Sequence, residues 1–285
     1  MHPTAGKQHS SRSRDSSPRR NDSPIPGRLT DSPMPWTNDP SGPREDETLD
    51  TLSCLHLSIL QKRTGYRYSL DAYLLAAFVD ENPAAEVVDI GSGSGILSIL
   101  LAAVKGLHVT GVEVQEDLAD MSARSVMRSG LQDKVRIICG DVRTFKGGKF
   151  DAVVTNPPYR PLATGRLNPE RNRAIARHEL LLDLDGLLKS SYELLAASGR
   201  FYIVYPAWRF VDLVVAMRRH RIEPKRCMFV HSTSHSNAEL CLLSGLRDGG
   251  KELIIERPLT IYSDEGSYTS EMNAVFTALE LPKSH

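Results

Sequence analysis

Three acids, a run of glycines and one stiff tip are the residues of this chain whose types and spacing could do chemistry. The stretch "DIGSGSGIL" follows a short apolar run, with Asp89 leading Gly91, Gly93 and Gly95. Glycines let a backbone turn tightly and approach a ligand closely, here at the start of a helix-like run. Glu113 ends the next apolar run, "HVTGVEV", where a carboxylate can accept from both hydroxyls of a ribose. Asp141 ends the third, in "CGDVR", where it can accept from an amino group such as that of adenine. A fourth run ends abruptly in "VVTNPPYRPL", at Asn156, Pro157, Pro158 and Tyr159. Proline cannot extend a ladder and constrains the residue before it, so this polar, aromatic tip is rigid.

Taken alone, each acid reads as a solvated loop residue. Three of them at the ends of successive strand-like runs, beside a glycine loop, point to one bound ligand. A dinucleotide fingerprint would place a further glycine at position 96, which is Ile96. The Asp-x-Gly-x-Gly-x-Gly spacing instead resembles the signature of Rossmann-like S-adenosylmethionine methyltransferases. An acid suits that ligand, whose amino-acid end carries an ammonium group. The cofactor expected is therefore S-adenosylmethionine. No metal is expected, since methyl transfer from a sulfonium needs none.

Beside such a loop, "TNPPY" resembles the Asn-Pro-Pro-Tyr motif of methyltransferases that act on planar amines. An exocyclic amine of adenine donates its lone pair to the ring and is a poor nucleophile. The side-chain carbonyl of Asn156 and the backbone carbonyl of Pro157 can each accept one N–H, turning the lone pair towards the methyl group. The prolines hold those carbonyls rigid. Tyr159 offers a face on which the planar group can stack, worth about 1–3 kcal/mol for a base on an aromatic ring. That helps offset the few kcal/mol needed to unstack a nucleotide. Adenine N6 in DNA, adenine N6 in RNA and the side-chain amide of glutamine all fit the tip.

These residues need a frame. Strand-like runs at 85–90, 108–114, 134–140, 149–155 and 199–206 alternate with helix-like runs at 96–105, 116–130, 180–196 and 208–220. "CMFVHS" and "AELCLLSGLR" follow as strands with no helix between them. Such alternation predicts an α/β fold, a mostly parallel sheet covered by helices on both faces. The closing hairpin supplies an antiparallel member. Ligands in such sheets bind at the carboxyl ends of the strands, where the acids and the tip fall. The expectation is a Rossmann-like class I methyltransferase fold with seven strands, one of them antiparallel.

Composition bounds the rest. Of 285 residues, 40% are hydrophobic and 25% charged, and the formal net charge is +0. Residues 1–48 are dominated by Ser, Pro, Arg and Asp, too few apolar residues to offset ordering entropy, and read as a disordered tail. Residues 49–285 read as the methyltransferase domain. No apolar run approaches the roughly 18 residues of a membrane span, and no signal peptide pattern opens the chain. Cys54, Cys139, Cys227 and Cys241 lack CxxC spacing. They imply neither a zinc site nor a disulfide framework, so a reducing, cytoplasmic setting is expected. Cys139 and Cys241, in apolar runs, read as small core residues.

Two basic clusters stand out against the neutral total. Arg160, Arg166, Arg171, Arg173 and Arg177 follow the tip directly, opposed by Glu170, and "RRHRIEPKR" spans Arg218 to Arg226. A charge run alone is usually a solvated face. With the glycine loop and "TNPPY", the stretches "RYSLDAYLLAAF" (67–78), "GRLNPERNRAIARHE" (165–179) and "PLTIYSDEGSYTSEM" (258–272) resemble the bacterial tRNA(Val)-specific adenine-N6 methyltransferase family. Its members modify the adenosine next to the anticodon. The resemblance runs from about residue 50 to the end. It implies that Ser69 to Asp71 lie near the methionine end of the cofactor. It also implies that Asp89, Gly91, Gly93, Gly95, Glu113 and Asp141 bind it with Asn156. Asn156 to Tyr159 would hold the target base, and the arginines from Arg160 to Arg177 would contact tRNA phosphates, which position without reading sequence. Ser69 also reads as a helix cap, and His178–Glu179 as a brace for the loop. A glutamine methyltransferase would share the tip but usually carries an N-terminal helical domain. A DNA methyltransferase would need a target-recognition domain. A non-catalytic RNA-binding protein would not need the intact tip.

Overall fold

Near-continuous apolar runs such as "EVVDI" suit a strand buried on both faces, whereas "EDLADMSARSVMR" buries Leu118, Ala119, Met121 and Val126 along one helical face. The computed structural model of the chain describes residues 40–52, 56–64, 67, 69–157 and 183–279. In order, these form β1 (Glu47–Leu52), β2 (Leu57–Lys62), α1 (Leu70–Phe78), β3 (Glu86–Ile90), α2 (Ile96–Lys105), β4 (His108–Glu113), α3 (Glu116–Arg128), β5 (Val135–Cys139), β6 (Phe150–Thr155), α4 (Leu184–Leu194), β7 (Leu195–Pro206), α5 (Phe210–Arg219), β8 (Ile222–His231), β9 (Ala238–Arg247), β10 (Ile254–Ile255), β11 (Leu259–Thr260) and α6 (Ser270–Ala278).

The main sheet runs β10-β8-β9-β7-β6-β3-β4-β5, with β11 paired to β8. β9 is antiparallel to both its neighbours, and every other pairing in this sheet is parallel. The seven expected strands are thus joined by two-residue pairings at one edge, giving nine. Helices cover both faces. Leu75, Ile99, Leu100 and Met272 lie in the core on one side, from α1, α2 and α6. Leu188, Leu213 and Met217 lie in the core on the other, from α4 and α5. The strand order reverses between β3 and β6, where a crevice opens at the carboxyl ends. Among the described residues, no helix is long and apolar enough to cross a membrane.

Outside this sheet, β1 and β2 form a separate antiparallel hairpin that the sequence did not announce. The hairpin is tied to α3: Leu60 N–H donates to Ser125 Oγ at 2.9 Å, and Ser58 N–H to Ser129 Oγ at 3.1 Å. Glu47 is buried, and Arg124 forks onto its carboxylate at 2.6 and 2.8 Å while donating to the Gly42 carbonyl at 2.8 Å. Removing one partner of a buried pair typically costs about 3–5 kcal/mol. The described residues therefore begin within the stretch read as tail, and residues 42–48 contribute packing to α3. Residues 1–39 lie outside the described residues. Cys241 is buried as expected, but Cys139 is exposed, because β5 is the edge strand of the sheet.

Candidate active site

The glycine loop is shaped by backbone conformation. Gly91, Gly93 and Gly95 have φ of +72°, +56° and +82°, values that a side chain disfavours. Gly91 N–H and Ser92 N–H donate to the Val112 carbonyl at 2.9 and 3.3 Å, which pins the loop to β4. A Cβ on Gly95 would lie 2.2 Å from Ser122 Oγ, whereas one on Gly91 would meet nothing within 4 Å. The loop is thus tight where it meets α3 and open on the side where a ligand would approach. The hydroxyls of Ser92, Ser94 and Ser122 are buried there without a hydrogen-bond partner among the described residues.

Asp89 and Glu113 form the floor, each 1% exposed. Asp89 accepts from Ser98 Oγ at 2.7 Å. Burial pushes its carboxyl up to about 7; the Ser98 hydrogen bond works against that rise and the charge of Glu113 adds to it. A desolvated acid of this kind suits a cationic ligand group. Glu113 accepts from Gly93 N–H through Oε2 and from Gln115 N–H through Oε1, both at 2.9 Å. A carboxylate has about four acceptor positions, so each oxygen retains capacity for a hydroxyl.

Asp141 differs. Its side chain is 31% exposed, and Arg143 already engages it. The Arg143 Nε donates to both carboxylate oxygens at 3.0 Å, and the Arg143 backbone N–H to Oδ1 at 2.9 Å. The Arg143 hydrogen bonds hold the carboxyl below its ordinary range. A base amine reaching Asp141 would have to share it with this guanidinium.

Ser69 sits at the start of α1 with extended backbone (φ −114°, ψ 177°), but its side chain makes no capping bond, unlike the cap expected. The exposed hydroxyl is left facing out at the helix start, with half-buried Asp71 in the first turn. Lys105, in the last turn of α2, donates to the Ala77 carbonyl of α1 at 3.3 Å. The two helices end together.

The tip meets the loop through β3 and β6. Ile90 pairs with Thr155, and the buried Thr155 hydroxyl donates to the Ile90 carbonyl at 2.9 Å. Gly91 and Asn156 therefore leave adjacent strands side by side, about 5 Å apart by strand spacing. Asn156 and Pro157 are half-buried. Pro158, Tyr159, Arg160, Arg166, Arg171, Arg173, Arg177, His178 and Glu179 lie outside the described residues. Among the described residues, no group of three His, Cys, Asp or Glu is arranged to hold a metal ion.

Known proteins match this arrangement. Residues 69–208 match the family model described as "Methyltransferase small domain". The tRNA1(Val) (adenine(37)-N6)-methyltransferase of Tolumonas auensis is 30% identical over 176 residues, covering 58% of this chain and 73% of the relative. The chain belongs to the tRNA1(Val) (adenine(37)-N6)-methyltransferase family. A second member, from Phocaeicola vulgatus, is 29% identical over 214 residues, 73% of this chain and 90% of its own length. The fold is also that of a predicted O-methyltransferase from Agrobacterium tumefaciens, at a TM-score of 0.58 and 17% identity over 74% of this chain and 98% of that one. The family is one of S-adenosylmethionine-dependent enzymes.

Several residues that shape the family's site here were not legible beforehand. Ser98 holds Asp89, and its only signal is its place in the first turn of α2. Gly111 stands beside Asp89 in register; a Cβ there would lie 2.8 Å from Ile137 Cδ1 and 3.0 Å from Ser92 Oγ. The second basic cluster is not part of the site. It lies at the start of β8, the opposite edge of the sheet. Arg218, Arg219, Arg221 and Arg226 there face Glu223, Asp185, Asp248 and Glu256 at 2.6–3.1 Å.

Proposed function

We propose that this chain transfers a methyl group to N6 of an adenine in tRNA, adenine 37 in the names of its relatives. The observation that carries the reading is the Ile90–Thr155 register, which sets the glycine loop and Asn156 side by side. Asp89, Gly91, Gly93, Gly95, Glu113 and Asp141 would hold S-adenosylmethionine, with Ser69 and Asp71 at its methionine end. Bound there, the cofactor supplies an electrophilic methyl group on a positively charged sulfur. The open space beside Gly91 and the buried acids beneath it fit such a ligand.

Asn156 and Pro157 would each accept one N–H of the adenine amine, bringing its lone pair out of conjugation. Held this way by Asn156 and Pro157, the nitrogen lone pair would face the side on which the cofactor would present its methyl group. The nitrogen loses a proton to solvent, so no strong base is needed. Asp89 would orient the cofactor's ammonium group, and the rigid prolines would keep the carbonyls aimed. Tyr159 would stack on the base and the arginines from Arg160 to Arg177 would contact phosphates. A tRNA substrate would favour a cytoplasmic setting.

Incubation with labelled cofactor and total tRNA, followed by digestion to nucleosides, tests the reading. Label in N6-methyladenosine supports it. Label in protein instead would favour a glutamine methyltransferase, which shares the tip. For the phosphate contacts, Arg171→Ala with Arg173→Ala should weaken tRNA binding and flatten its salt dependence; an unchanged slope would place the RNA elsewhere.

A further inference from the structure

The strand beside the tip ends in residues that the proposed reaction does not use. β7 runs parallel to β6 with Thr155 opposite Ile203, so Tyr205 stands level with Pro157. The chain then makes a single 3-10 turn, Ala207–Arg209, before α5. With strands about 4.8 Å apart and a rise of about 2 Å per residue in such a turn, Trp208 stands roughly 10 Å from Pro157 along the crevice edge.

Trp208 is 55% exposed and is the one exposed aromatic among the described residues. Arg209 lies against it. The guanidinium carbon is 5.2 Å from the Tyr205 ring centroid and 5.7 Å from that of Trp208. One cation thus bridges a buried ring and an open one. Asp212 is 3.7 Å away, exposed to solvent. An open aromatic face with a cation beside it is the chemistry that holds unpaired nucleotides: the base stacks and the charge meets the phosphate.

We infer that Trp208 and Arg209 form a stacking platform for an unpaired nucleotide of the RNA substrate, next to the base held at Asn156. The inference rests on the proposed function. A base that enters the tip leaves its neighbours in the stack, and the indole face replaces part of the lost stacking. Every base has such a face, so the platform tolerates any neighbour. Val211 and Val215 continue the apolar stripe along α5, 70% and 52% exposed, and a second copy of the chain is the rival occupant.

The test compares Trp208→Ala and Trp208→Phe in the full chain. The alanine variant should raise the KM and Kd for tRNA about five- to one-hundred-fold. Phenylalanine should restore most of that loss. Cofactor affinity and melting temperature should not move, and kcat should fall less than KM rises. The chain has two tryptophans, Trp36 and Trp208. In a Trp36→Phe background the remaining indole should be quenched as tRNA is added. Unchanged KM with no quenching overturns the inference. So does a dimer in sedimentation that Trp208→Ala dissociates while KM for tRNA stays the same. A wild-type protein that leaves tRNA unmethylated overturns the function itself. A wild type that methylates, with an unaffected alanine variant, overturns the platform alone.

Discussion

The floor of the crevice and its rim hold the same kind of residue in opposite electrostatic states. Asp89, on the floor, is sealed from water, bonded to one neutral hydroxyl and pushed up to about 7. Asp141, on the rim, is part-exposed, gripped by Arg143 and held low. The floor is built by a glycine loop hydrogen-bonded to β4 and by Ser98 in α2. The rim is built by one long side chain that can swing. Shape and charge are thus preset where, on the proposed function, a small charged group would fit, and adjustable where a larger flat group would enter. Asn156 stands between them, fixed by the Thr155–Ile90 bond like the floor but open like the rim.

The largest effect separates chemistry from both regions. Asn156→Ala should lower turnover by about 10²–10³-fold, the usual scale for removing one preorganised hydrogen-bonding group. Cofactor affinity should stay within a few-fold by calorimetry. An equal loss of both would make Asn156 part of the cofactor floor alone.

Next comes the rigidity of the floor. Gly95→Ala combines a left-handed φ with a Cβ 2.2 Å from Ser122 Oγ, and should destabilise the fold by about 1–3 kcal/mol in urea titrations. Gly91→Ala, with open space around it, should show only the backbone part, about 1–2 kcal/mol. Gly140→Ala, on the rim with no neighbour within 4 Å, should be close to neutral. Equal costs at all three positions would erase the distinction between floor and rim.

The third test is pH. Asp89 titrates near 7 in the folded chain, above its ordinary value of 3.8, so the folded state binds more protons than the unfolded state between these values. Its contribution to stability is full below about 3.8 and is lost as pH rises through about 7. Asp89→Asn should remove that loss from the stability profile of the free protein. An ammonium group at the floor favours the ionised acid, so wild-type affinity for S-adenosylmethionine should rise between pH 6 and 7.5 and that of the variant should not. Parallel affinity profiles would place the ammonium elsewhere.

At the rim, Arg143→Ala frees the Asp141 carboxylate. The pair is solvent-screened, so cofactor binding should tighten only a few-fold, and less in high salt. A large loss of affinity would instead make Arg143 a cofactor ligand.

The same contrast explains what sequence alone revealed. α2 at 96–105 and β9 at 238–247 were readable to the residue, because apolar runs there are bounded by glycine or by polar turns. The acids and glycines of the floor were readable for the same reason: each sits at the end of a strand. The β1–β2 hairpin was not, since Glu47 and Asp50 break its apolar alternation. Both are buried, made tolerable by Arg67, just past β2, and by Arg124, far along the chain in α3. β10 and β11, two residues each, leave no periodicity to read. α6 is marked only by its cap, Thr269, which accepts from Met272 N–H at 3.1 Å. Ser98, Gly111 and Trp208 matter through neighbours in space, and no spacing rule encodes those.

The most direct test of the central claim is nucleoside analysis after incubation of the full chain with labelled S-adenosylmethionine and total tRNA, with Asn156→Ala in parallel. Label in N6-methyladenosine with the wild type, and its near absence with the variant, is the predicted result. Label in protein, or label in tRNA that survives the loss of Asn156, would contradict it.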